Sequence, residues 1–125
     1  MTPDWKRLEQ VARAEVQATL EQLPPPLRDR ATALPVTFAP APSAALVAEG
    51  IEPDTLGLFS GPALDEEIHC ASPVPAQIFL YWENLWDQAE GDIAAYRAEV
   101  RTTYLHELGH YLGLDEDDLT ERGLD

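Results

Sequence analysis

From Asp92 to Gly113 the chain reads DIAAYRAEVRTTYLHELGHYLG, and the reading of this stretch decides the rest. Ile93, Tyr96, Val100 and Tyr104 recur at helical spacing, which predicts an amphipathic helix. Asp92 is the expected N-cap, because its carboxylate can accept from amide groups left free in the first turn. Gly113 is expected to end the helix in the left-handed conformation that glycine adopts without a Cβ penalty.

His106 and His110 stand four positions apart in this helix. Residues at i and i+4 share a helix face with Cβ atoms about 5–6 Å apart, so both imidazoles can reach one zinc ion at about 2.0–2.1 Å. Glu107 lies one step round the helix, near such an ion without ligating it. A carboxylate there can take the proton of a water that the metal has made acidic. The H-E-x-x-H pattern thus marks His106 and His110 as metal ligands and Glu107 as the catalytic base. The competing reading is a helix with two surface histidines and a glutamate. Gly109 speaks against it: a mid-helix glycine costs roughly 1 kcal/mol and signals close backbone approach.

A catalytic zinc keeps three protein ligands and one open position. After Gly113 comes the acidic run Asp115-Glu116-Asp117-Asp118. In H-E-x-x-H-x-x-G-x-x-H enzymes the third ligand follows the second histidine by six residues. Gly113 supplies the glycine of that pattern, and Glu116 falls at the ligand position with a carboxylate in place of the histidine. Asp115 and Asp117 are the alternatives. Acids at the start of a short helix also complement its dipole, the simpler role for a closing turn at Glu116–Glu121.

Outward from this helix, Gln77–Trp82 is the strand richest in β-formers. Asn84–Ala89 reads as a short helix. Leu34–Phe38 and Leu56–Phe59 are shorter strands, the second closed by Gly61 and Pro62. Residues 39–55 read as loop with one helical turn at Ala44–Ala48, and residues 62–76 as a long connection with a short strand near Ile68. A first helix is capped by Asp4 and carries Trp5, Leu8, Ala12, Val16, Leu20 and Leu23 at helical spacing. Pro24, Pro25 and Pro26 stop it and act as a stiff spacer before a helical turn in residues 27–33. The order predicts an α+β fold, with a small sheet of three to four strands packed against the long helix. Tyr81, Trp82 and Trp86 are expected between sheet and helix, and Tyr104 in the core. Tyr104 and Tyr111 flank the motif and are the candidate oxyanion donors.

The 125 residues fit one domain, 1–125. Their 23 acidic and 8 basic side chains give a net charge of −15. A surface this acidic repels phosphate backbones and anionic lipid, which argues against nucleic-acid and membrane partners. With 45% apolar residues the chain is no disordered acidic tail. The acid is concentrated: residues 1–60 hold 8 acidic and 5 basic side chains, and residues 61–125 hold 15 and 3. No apolar run approaches the ~20 residues of a membrane span, and the amino terminus lacks a signal-peptide apolar core. Cys70 is the single cysteine, so no intrachain disulfide forms and a cytoplasmic protein is expected. His69 and Cys70 are adjacent and in an extended segment point to opposite faces. They are expected as a surface or packed histidine and a buried thiol, with substrate orientation as the sharper role for His69.

The segment from His106 through Asp118 resembles the zincin metallopeptidases, and more narrowly the small bacterial minimal zincin family. Leu56 to Phe59 with Gly61, Ile78 with Leu80 and Tyr81, Asn84-Leu85, and Glu99-Val100 with Thr102 and Thr103 extend the resemblance over roughly residues 34–120. It implies a shortened zincin lobe with a mixed sheet, an active-site helix and almost no C-terminal subdomain. It also implies zinc held by His106 and His110, with Glu107 as general base. The family's third ligand is commonly aspartate, where this chain has Glu116. Met1 is the only methionine, so the Met-turn of the larger metzincin clan is absent. Zinc-dependent endoribonucleases share the histidine spacing but lack a glutamate after the first histidine, and the acidic charge also argues against them.

Two functions are expected to compete. One is a zinc metallopeptidase acting on a peptide or protein, favouring cationic segments, with an edge of Ile78–Trp82 offered to the extended substrate. The other is a metal-stabilised binding module without turnover, because the 15 residues after His110 supply little for the far wall of a cleft.

Overall fold

A computed structural model describes residues 4–61 and 76–114. Helix α1 (Trp5–Glu21) starts where the Asp4 carboxylate accepts from the Lys6 amide at 3.0 Å. It buries Leu8, Ala12 and Val16 along one face. It stops at Glu21, short of Leu23, because a residue that precedes proline is pushed out of the helical region. The proline triplet is not a spacer. Pro25 and Pro26 open helix α2 (Pro25–Thr32), where a fixed φ and a missing N–H suit the first turn.

Strand β1 (Val36–Ala39) leads to a one-turn helix α3 (Ala44–Ala48), capped by Ser43, and then to β2 (Gly57–Ser60). Strand β3 (Gln77–Tyr81) passes directly into α4 (Trp82–Gln88), so Trp82 begins a helix where the sequence reading had it end a strand. Helix α5 (Ile93–Leu112) is capped by Asp92, whose side chain accepts from the Ala95 amide at 2.8 Å. It ends at Gly113 with φ 74°.

These elements form an α+β fold whose described strands make one mixed sheet in the order β1-β3-β2. β1 runs parallel to β3, with Val36 opposite Ile78, and β2 runs antiparallel, with Gly57 opposite Leu80. This corrects one expectation. The strand Gln77–Tyr81 is central and paired on both sides, so it has no edge to offer, and among the described residues the antiparallel edge belongs to β2. The short strand near Ile68 and the closing turn at 116–121 lie outside the described residues.

Ile78 and Leu80 point from β3 into a core shared with Leu85, Val100, Tyr104 and Leu108. Each such aliphatic burial contributes roughly 2–3 kcal/mol. Helix α1 closes the core from outside: it packs on α5, where the Tyr96 hydroxyl donates to the Leu8 carbonyl at 2.8 Å. Trp82 joins the core and Trp86 packs against it, edge-on to Tyr96 with ring centroids 5.7 Å apart. Tyr81 departs from the expectation. Strand alternation puts it on the opposite sheet face from Ile78 and Leu80, where it stacks on Phe79. No helix among the described residues is long and apolar enough to cross a membrane.

The buried tyrosines give the fold an alkaline limit. Burial pushes the Tyr104 phenol up to about 12, from an ordinary value of 10.0. Burial raises Tyr96 still further, helped by the carboxylate of Glu9. A raised folded value means that the stability tied to these groups is complete below about pH 10. It is lost as pH climbs through the folded values. Urea midpoints are therefore expected to hold level up to about pH 10 and then fall. Phenolate absorbance of the sealed rings should appear only with unfolding. Smooth ionisation of all four tyrosines in the folded protein would contradict this.

Candidate metal centre

The carboxyl-terminal half of α5 presents His106, Glu107 and His110 together. One ligand atom from each lies within 4.8 Å of the others. The two imidazole rings meet edge to face, centroids 4.6 Å apart, on the side of the helix that reaches solvent. Glu107 is turned inward and only 7% exposed. Its Oε2 lies 3.3 Å from Nδ1 of His110. Two imidazoles so placed suit a borderline-soft divalent metal, with the carboxylate of Glu107 beside them. Gly109 and Leu108 are buried on the core side of the same turns.

Strand β2 packs against Glu107. A Cβ placed on Gly57 would lie 2.5 Å from Cγ2 of Thr103, 3.2 Å from the Phe79 carbonyl oxygen and 3.4 Å from Cγ of Glu107. Glycine thus lets the strand backbone rest directly on the helix, against the stem of the glutamate. Two further contacts hold β2 there. The Tyr81 amide donates to the Leu56 carbonyl at 3.0 Å, and Phe59 packs on Tyr111 with ring centroids 5.8 Å apart. The approach to the strand is pinned by Asn84, whose side-chain amide donates to the carbonyls of Pro53 at 2.8 Å and Thr55 at 2.9 Å. Asn84→Ala is expected to cost about 1–2 kcal/mol in urea unfolding. Hydrogen exchange should quicken in residues 53–58 and stay slow at Ile78 and Leu80.

Between β2 and α5 lies a cleft of about 270 Å³. Leu56 and Gly57 form one side. Glu99, Thr102 and Thr103 form the other, and the cleft reaches His106 and Glu107. The helical residues are spaced so that they fall on one stripe, ending at the metal motif.

The sequence reading placed His106, Glu107 and His110 on one helix, and the structure brings their side chains together. Glu116, Asp115 and Asp117 lie outside the described residues, as do His69 and Cys70. Tyr104 is buried in the core, 1% exposed, away from any role at the rim. Gly57, Asn84 and the cleft residues carried no role in that reading beyond the resemblance. Gly57 did carry a signal: a glycine inside an apolar strand marks a close backbone approach. Glu99 and Thr103 could have been found by stepping back along the helix from His106 in turns of three and four.

Among the described residues, a long helix bearing a His-Glu-His cluster thus lies against the antiparallel edge strand of a mixed sheet. The sequence profile of the zincin-like metallopeptidase family matches residues 31–124, and the chain belongs to that family. Helix α1 lies before the matched region. No curated protein matches the chain.

Proposed function

We propose that the protein is a zinc-dependent peptidase with Glu107 as its general base. One observation carries the reading: two imidazoles and a buried carboxylate converge within 4.8 Å on one helix, in a chain of the zincin-like metallopeptidase family. His106 and His110 are the residues that would hold the ion, and Glu116 is the third ligand by the family spacing. Zinc held there would supply a Lewis acid for a carbonyl oxygen and lower the pKa of a water. Glu107 takes the proton of the attacking water and returns it to the leaving amine. Gly57 shields the stem of Glu107, and His110 beside its carboxylate restricts its orientation.

The substrate is a peptide or protein lying along β2, the antiparallel edge of the sheet among the described residues, where an extended strand can add through backbone hydrogen bonds. A net charge of −15 supports a cationic peptide and argues against nucleic acid or an anionic membrane. A cytoplasmic setting belongs to the same reading, since Cys70 is the single cysteine of the sequence.

The test has two parts. Protein equilibrated with micromolar zinc and analysed by ICP-MS is expected to carry a stoichiometric ion, lost in His106→Ala and His110→Ala. A peptide mixture followed by mass spectrometry should be cleaved, with chelator stopping the reaction and zinc restoring it. Bound zinc without turnover, in a site closed by four protein ligands, would make the protein a metal-stabilised binding module instead. Failure to bind zinc at all would sink both.

A further inference from the structure

The cleft that ends at the metal cluster has a charge of its own. Glu99 sits on its wall, two helical turns before His106, about 10 Å along the axis. Glu99 is half-buried as a residue, and neither ion pair of the described residues uses it: these are Arg13–Glu9 and His110–Glu107. Arg97 and Arg101 lie two positions away on the helix and so face elsewhere. Beside Glu99 stands Thr102. Unlike Thr19 and Thr32, it does not bond its hydroxyl to the carbonyl four residues back. Across the cleft are the apolar side chain of Leu56 and the bare backbone of Gly57. A cleft with an apolar side, faced by a half-buried glutamate and an exposed threonine, suits a side chain that is aliphatic along its stem and cationic at its tip.

We propose that this cleft is a specificity pocket for a lysine or arginine side chain of the substrate, with Glu99 as its counter-charge. The assignment rests on the peptidase reading for its place in a reaction and on the cleft alone for its binding chemistry. The cation could in principle be a peptide's free amino terminus. A long basic side chain on the reacting residue, with the ion-pair distance added, covers the two turns from a carbonyl held at the metal cluster, whereas that residue's own α-amine does not; an amino terminus further upstream is the alternative that the free-amine probe tests. Glu99 is a specificity-determining residue and takes no part in bond cleavage.

Binding is read separately from turnover. Glu107→Gln protein, in which hydrolysis is expected to be about a thousandfold slower, is titrated with acetylated, amidated tripeptides carrying lysine, arginine or norleucine at the centre. A fourth probe is the norleucine tripeptide with a free amino terminus. Amide chemical shifts report the site. The lysine and arginine probes are expected to move Gly57, Glu99, Thr102 and Thr103 and to bind about tenfold tighter than capped norleucine. Glu99→Gln should remove that advantage, Glu99→Asp should keep part of it, and Glu99→Lys should reject both basic probes. Equal binding of lysine and norleucine, shifts elsewhere, or an advantage that survives Glu99→Gln would each overturn the pocket. A free-amine norleucine probe that matches lysine would overturn the side-chain assignment. Cleavage of peptide mixtures by the wild-type protein separates the two readings. Turnover without enrichment of Lys or Arg beside the cut removes the pocket and keeps the peptidase. Selective binding without turnover does the reverse.

Discussion

Replacing Glu107 by glutamine is expected to leave zinc bound at wild-type stoichiometry while peptide hydrolysis falls by about a thousandfold. The two side chains have the same shape, so the packing against Gly57 survives. Glutamine can still meet Nδ1 of His110, which lies 3.3 Å from the carboxylate in the wild-type protein. What it cannot do is accept a proton. The loss should therefore appear in kcat, with ICP-MS, circular dichroism and urea midpoint little changed. Comparable turnover by the metal-replete variant would remove Glu107 from the mechanism.

Gly57→Ala is expected to destabilise the protein by about 2–3 kcal/mol, the scale of an overpacked core. An added methyl would sit 2.5 Å from Cγ2 of Thr103 and 3.2 Å from the Phe79 carbonyl oxygen. The threonine cannot swing freely in a helix, and the carbonyl belongs to the central strand. β2 must therefore lift from α5. Thr103→Ser deletes the nearer obstacle, so the double variant should recover about 1 kcal/mol relative to additivity. The backbone contact keeps the rest of the cost. Lifting β2 also uncovers the stem of Glu107, so kcat should fall in Gly57→Ala even where the protein remains folded. Strict additivity in urea unfolding would show that the strand and helix are not in the contact described.

The helices and strands were legible wherever one segment carried its own punctuation. Asp92 and Gly113 bracket α5 by capping chemistry alone, and Asp4 does the same for the start of α1. Boundaries slipped where two elements abut without a turn residue: Trp82 is a strong β-former and yet opens α4. The proline triplet misled because the same ring that ends one helix suits the first turn of the next. Within the site, the metal motif was legible because one helix carries it entirely. The cleft was not, because it depends on β2 lying across residues some 45 positions later in the chain. Which of the described strands lies at the centre of the sheet was illegible for the same reason: pairing order is a property of the assembled sheet.

The sheet order also governs how the chain must come together in time. β3 cannot gain its parallel neighbour until the segment following β1 has looped back, and α5 follows every strand it packs against. The hydrogen bond between Tyr96 and Leu8 joins residues 88 apart in sequence. Contacts of such long sequence separation form slowly, because loop closure must precede any reward. During synthesis the early segments therefore wait with their apolar faces uncovered until the motif-bearing helix has emerged. The element that carries the candidate metal site is also the one whose arrival permits the core to close.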